Sequence, residues 1–148
     1  MAGTQRTATA RWTGDLARGN GMVHLDSSGL EPEMPVTWAS RTEAPGGKTS
    51  PEELIAAAHA ACFSMALSHG LSSSGHTPER LTTTATSTFE KTDAGFRVTK
   101  MHLTVRGVVP KIGSEEFAAA ARAAKDGCPV SNALKGNVQI EVDAALDG

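Results

Sequence analysis

The chain has 148 residues, 39% hydrophobic and 4% aromatic, with two cysteines, no tyrosine and a formal net charge of −2. That length suits one domain with a real core, expected over residues 1–148, filled mainly by Ala, Val, Leu, Ile and Met. The near-neutral balance, without a basic stripe, gives no electrostatic draw to nucleic acid or anionic lipid, and the sequence suggests no apolar run near the ~20 residues of a membrane span.

The opening MAGTQRTATARWTG lacks the apolar core of a signal peptide, so a cytoplasmic protein is expected. TATARWTG (7–14) and GMVHLDSS (21–28) read as strands of a hairpin, turning through Ala17, Arg18, Gly19 and Asn20. Residues 29–50 hold three prolines and three glycines around the apolar fragment Met34 to Ala39, which predicts one short strand and then an extended loop. Loops of that length in a compact domain are often functional.

Ser50 is suited to cap a helix, Pro51 to its first position, and Glu52 and Glu53 to the positive end of its dipole. The helix is expected to run to about Ser72. Strands follow in LTTTATSTFE (81–90) and FRVTKMHLTVRGVV (96–109), paired antiparallel around DAG (93–95). A second helix is predicted from Ser114 to Gly127, one or two helical turns in CPVSNALKG, and a last strand in NVQIEVDAAL. Strands and helices that do not alternate regularly indicate an α+β fold.

Cys62 falls in the middle of the long helix. At 100° per residue its face includes Ile55, Ala58, His59, Met65, Ala66 and His69, read as a burying face. The alanines at 56, 57, 58, 60 and 61 would let another backbone come close, which suggests a helix packed on its symmetry mate. Burial raises a thiol's pKa, so a reactive Cys62 needs a cation, for which Arg41 and Arg18 are the candidates. Cys128 sits between the Gly127 helix stop and Pro129, where N–H groups of a following turn could polarise its sulfur. In a reducing compartment the two are either plain buried thiols or a redox couple, and each taken alone reads first as a small buried hydrophobe.

Other chemistries are weaker. His59 and Cys62 have the i, i+3 spacing of metal ligands, but further ligands would have to come from scattered histidines. His59 or His69 could serve as base to a cysteine nucleophile, although no orienting acid or oxyanion-hole signature accompanies them. A structural dimer with dispensable cysteines is a further alternative.

SPEELIAAAHAACFSMAL (50–67), GCPVSNALK (127–135), WTGDLARGNG (12–21) and DAGFRVTK (93–100) together closely resemble the OsmC branch of the OsmC/Ohr family of thiol-dependent hydroperoxide reductases. The resemblance covers nearly the whole chain in order and spacing. It implies an α+β fold with antiparallel sheets packed on two central helices, in an intertwined homodimer whose two active sites lie where the subunits meet. It places the peroxide-attacking cysteine on Cys62, the resolving cysteine on Cys128 and the family's glutamate on Glu52. The family's arginine falls on Arg41 by the OsmC pattern and on Arg18 by the Ohr pattern, and Arg41 is preferred because the rest of the chain follows the first.

On that reading Arg41 holds Cys62 as thiolate and Glu52 orients the guanidinium. A Cys62–Cys128 disulfide would close a loop of about 65 residues. The resemblance implies no bound cofactor or metal, and an external dithiol or lipoyl-type reductant. Glu52 and Cys62 lie about 15 Å apart along a straight helix, so their convergence requires two antiparallel helices across a dimer axis or an arginine reaching from a loop. The alternative from another class is a non-catalytic dimeric stress or binding protein of the same fold.

Overall fold

The computed structural model describes residues 2–147. The chain forms two compact units, one up to Pro51 and one from Glu52 onward.

In the first unit β1 (Thr9–Thr13), β2 (Asn20–Leu25) and β3 (Leu30–Val36) form an antiparallel sheet in the order β1-β2-β3. The hairpin stands where alternation placed it. Gly19 is required in its turn, because a side chain there would run into the carbonyl oxygens of Asp15 and Thr13.

The expectation of one short strand and a long loop over 29–50 is corrected. β3 begins earlier, and a short helix α1 (Trp38–Thr42) follows it. Its start is a capping box: the Thr37 hydroxyl oxygen accepts from the Ser40 N–H, and the Ser40 hydroxyl oxygen accepts from the Thr37 N–H, each at 3.0 Å. The Ser40 hydroxyl also donates to the Thr49 carbonyl at 3.0 Å, and the Thr49 N–H donates to the Pro35 carbonyl at 2.9 Å. The remaining loop is therefore pinned at both ends.

Helix α2 (Pro51–Ser73) begins at the expected proline, with Glu52 and Glu53 in its first turn. β4 (Arg80–Thr92) and β5 (Gly95–Val108) pair antiparallel. α3 (Ser114–Gly127) and α4 (Pro129–Leu134) then lead to β6 (Gln139–Leu146), which pairs with β5 in parallel. The α+β class holds, but the second sheet, ordered β4-β5-β6, is mixed and not purely antiparallel. The two helices between β5 and β6 carry the chain back along the sheet, as a parallel neighbour requires.

The buried positions of α2 are Glu52, His59, Phe63, Leu67 and Leu71, which corrects the expected face. Ala58, Met65 and His69 are exposed in the single chain, Met65 at 72%. Burial follows the largest apolar side chains, so the helix turns Phe63, Leu67 and Leu71 inward and leaves Cys62 at the margin. These three pack with Leu103 and Val105 of β5, Phe117, Ala121 and Ala124 of α3, and Cys128. Phenylalanine carries more of this core than composition suggested, since Phe63 and Phe117 are its largest fully buried side chains.

By length and composition α2 is apolar enough to cross a membrane, contrary to the reading of the sequence. Alanines raise its average without lengthening any strongly apolar run. Its Phe63, Leu67 and Leu71 are fully buried in the core of the second unit, which is where a core helix places such residues.

Gly107 of β5 makes room for Phe117: a Cβ there would lie 2.6 Å from the ring's Cζ and 2.9 Å from a Cε. Phe117→Ala, which empties that space, is expected to lower the unfolding free energy by about 3–5 kcal/mol, measured as a lower denaturant midpoint at unchanged slope.

Candidate active site

α2 and the α3–α4 junction bring Cys62 and Cys128 together. Both are free thiols, Cys128 fully buried and Cys62 half-buried. The two thiols lie close enough for the ionisation of each to depend on the other.

The two thiols shift in opposite directions. Burial pushes the Cys62 thiol up, the neighbouring Cys128 sulfur adds to the rise, and the Val130 N–H opposes it. Burial also works against the Cys128 thiolate, but the Ser131 N–H, the Cys62 side chain, the Ser131 hydroxyl and the Val130 N–H together carry Cys128 below the usual cysteine value. Cys128 is the N-cap residue of α4 and makes no side-chain cap bond. The N–H groups thus act on its large sulfur as loose polarising donors. The expected help from a following turn is present at Cys128, and one of the same N–H groups also reaches Cys62, which sequence reasoning did not foresee.

Ser131 is the residue that sequence reasoning missed. Its Oγ lies 2.7 Å from Nε2 of His59, and the two side chains are 4% and 0% exposed. Burial holds the His59 imidazole below the usual histidine pKa, favouring the neutral ring. A readable signal existed, for Cys128 and Ser131 occupy the N-cap and N3 positions of α4, the spacing of a capping box. The Nε2 bond to Ser131 sets His59 in a different role from the base or metal ligand weighed from its spacing with Cys62. No group of three or more His, Cys, Asp or Glu placed to hold a metal ion occurs among the described residues.

The remaining expected site residues are placed as follows. Glu52 is only 7% exposed, in the first turn of α2. A carboxylate buried to that degree requires hydrogen-bonded compensation. In the first unit Arg41 occupies the last turn of α1, its guanidinium carbon 5.7 Å from the Trp38 ring centroid, within cation–π range. It lines a pocket of about 340 Å³ with Trp12, Leu16, Val36, Trp38 and Pro51. Arg18, the other candidate, projects from the hairpin turn with its side chain 90% exposed, 3.4 Å from Asp15.

An α+β chain that joins two free cysteines from distant segments in its core defines a thiol-pair protein. The chain belongs to the OsmC family: the family model described as OsmC-like protein matches residues 44–143. It is 46% identical over 132 residues to peroxiredoxin OsmC of Escherichia coli, covering 89% of this chain and 91% of that protein. It is 32% identical over 101 residues to organic hydroperoxide resistance protein-like 2 of Staphylococcus epidermidis, covering 66% and 68%. Among solved structures it resembles the organic hydroperoxide resistance protein OhrB of Bacillus subtilis with a TM-score of 0.75 at 26% identity, over 94% of this chain and 98% of that one.

Proposed function

We propose that this protein is a thiol-dependent peroxidase that reduces organic hydroperoxides to alcohols, with hydrogen peroxide as a second candidate substrate. The observation that carries the reading is the pair of neighbouring free thiols, Cys62 and Cys128, in a chain of the OsmC family. The peroxidase and hydroperoxide-resistance names of its relatives support it.

In the proposed cycle the Cys62 thiolate attacks the terminal oxygen of the hydroperoxide. The O–O bond breaks, the alkoxide leaves as alcohol after taking a proton, and Cys62 becomes a sulfenic acid. The Cys128 thiolate then displaces hydroxide from that sulfur, and the proton released by Cys128 completes water. An external dithiol or lipoyl-type reductant returns the disulfide to two thiols.

The groups that act on Cys62, Val130 and Cys128 of the second unit, leave its thiol raised by burial, so the cycle needs a cation. The reading assigns that cation to Arg41, oriented by Glu52, whose burial suits a charge partner, in a homodimer that covers the exposed alanine and Met65 face of α2. Met65 and the alanines that flank Cys62 favour an alkyl substrate.

Treating the reduced protein with one equivalent of cumene hydroperoxide per subunit is the direct test. Two thiols should be lost per subunit and a Cys62–Cys128 crosslinked peptide should appear on mass spectrometry. Retention of both thiols would leave the non-catalytic binding protein as the better reading.

A further inference from the structure

The reaction proposed above uses two cysteines, an arginine and a glutamate, and leaves unexplained a fully buried histidine joined to a nearly buried serine across 72 residues of sequence. Burying both polar groups costs stability unless they are hydrogen-bonded, and even when paired they contribute little more than two apolar side chains of the same shape would. Its geometry is directional. His59 Nε2 faces Ser131 Oγ at 2.7 Å, while His59 Nδ1 is buried without a hydrogen-bond partner.

A neutral imidazole carries one proton. Placed on Nδ1, it would be an orphaned buried N–H, and the serine would have to donate to Nε2, leaving no hydroxyl proton for any other acceptor. Placed on Nε2, it donates to Ser131, only a lone pair is orphaned, and the serine proton is free. The acceptor next to Ser131 is the Cys128 sulfur: Cys128 is the N-cap and Ser131 the N3 residue of α4, and the Ser131 hydroxyl and N–H both favour the Cys128 thiolate.

We propose that His59 and Ser131 are positioning residues for Cys128: the imidazole Nε2–H holds the serine oxygen so that its hydroxyl donates to the Cys128 sulfur while the disulfide forms. This rests on the peroxidase reading for its use. In that step the Cys128 thiolate attacks the Cys62 sulfenic sulfur, an S–S bond forms, the S–O bond breaks and hydroxide leaves. The same donor then stabilises Cys128 as the leaving thiolate when an external thiol attacks the disulfide at Cys62, the more exposed sulfur.

The groups that face Cys128 are consistent with this. α2 contributes Cys62 and, through Ser131, His59. The core residues around it from α2, β5 and α3, including Phe63, Leu67, Leu103, Phe117 and Ala124, are apolar. Charge gathers around the small pocket of about 190 Å³ that Ser131 also lines, with Lys125 and Asp126 of α3 and Lys135 after α4.

The test has two readouts. In a Cys62→Ser background the thiolate absorbance of Cys128 is followed against pH, which requires no peroxide and so stands whether or not the protein is a peroxidase. In the otherwise native protein, stopped-flow separates sulfenic acid formation at Cys62 from disulfide formation. Ser131→Ala should move the Cys128 inflection up by about one pH unit and slow disulfide formation about 10-fold below it, with the Cys62 step unchanged.

His59→Leu should act in the same direction, and His59→Gln, which keeps an N–H donor, should recover most of the shift. Thermal melts monitor folding of each variant. A Cys128 inflection unmoved by Ser131→Ala overturns the proposal, as does a His59→Gln protein indistinguishable from His59→Leu when both are folded.

Discussion

Cys62→Ser is expected to remove hydroperoxide consumption with dithiothreitol, lowering kcat/KM by about three orders of magnitude or more, because a serine hydroxyl is neither ionised near neutral pH nor comparably nucleophilic toward oxygen. The residue is replaced at the margin of α2, outside the Phe63, Leu67 and Leu71 stripe, so the melting temperature should change little. This separation is what makes the variant informative. A folded serine protein that consumes cumene hydroperoxide at the native rate would remove Cys62 from the reaction. Cys128→Ser should behave differently, supporting the first turnover and then accumulating overoxidised Cys62, since no second thiol captures the sulfenic acid.

The second large effect concerns the cation. Arg41→Ala should reduce kcat/KM about 100-fold at neutral pH, and Arg41→Lys should recover only part, because a point charge cannot reproduce the guanidinium's paired hydrogen bonds. The sign of its pH dependence follows from the state of Cys62. Burial already raises this thiol, so without Arg41 its thiolate forms only at still higher pH, and the deficit should narrow as pH increases. Measuring kcat/KM against pH for the native and Arg41→Ala proteins checks this. A deficit constant across pH would assign Arg41 to orienting the peroxide and not to ionising the thiol. Arg18→Ala, changing a side chain 90% exposed in a hairpin turn, supplies the comparison, and a larger loss there would transfer the role.

The two cysteines and the segments that carry them were legible because local chemistry announces them. Pro51 with Glu52 and Glu53 opens α2, and Ser114 and Gly127 bound α3, at the residues expected. The α1 start has a local signal too, in the Thr37 to Ser40 spacing, but the surrounding prolines and glycines mask it and favour a loop. Periodicity taken from Cys62 predicts a different buried face of α2, whereas burial is decided by where Phe63, Leu67 and Leu71 find apolar partners.

By itself, then, the sequence determined what depends on neighbours along the chain: helix starts, the hairpins, the α+β class, and the identity of two thiols in motifs that resemble one family. Only the tertiary structure decided that β6 lies parallel to β5 and that Cys62 sits at the edge of its helix's buried stripe. It alone joined His59 to Ser131, three residues past Cys128, and let the Val130 N–H favour both thiolates. The reason is physical. A thiol's ionisation depends on the few dipoles and charges within a few ångströms of sulfur, and for Cys62 those come from Cys128 and Val130, more than 60 positions away, whose approach is set by core packing and not by any local preference.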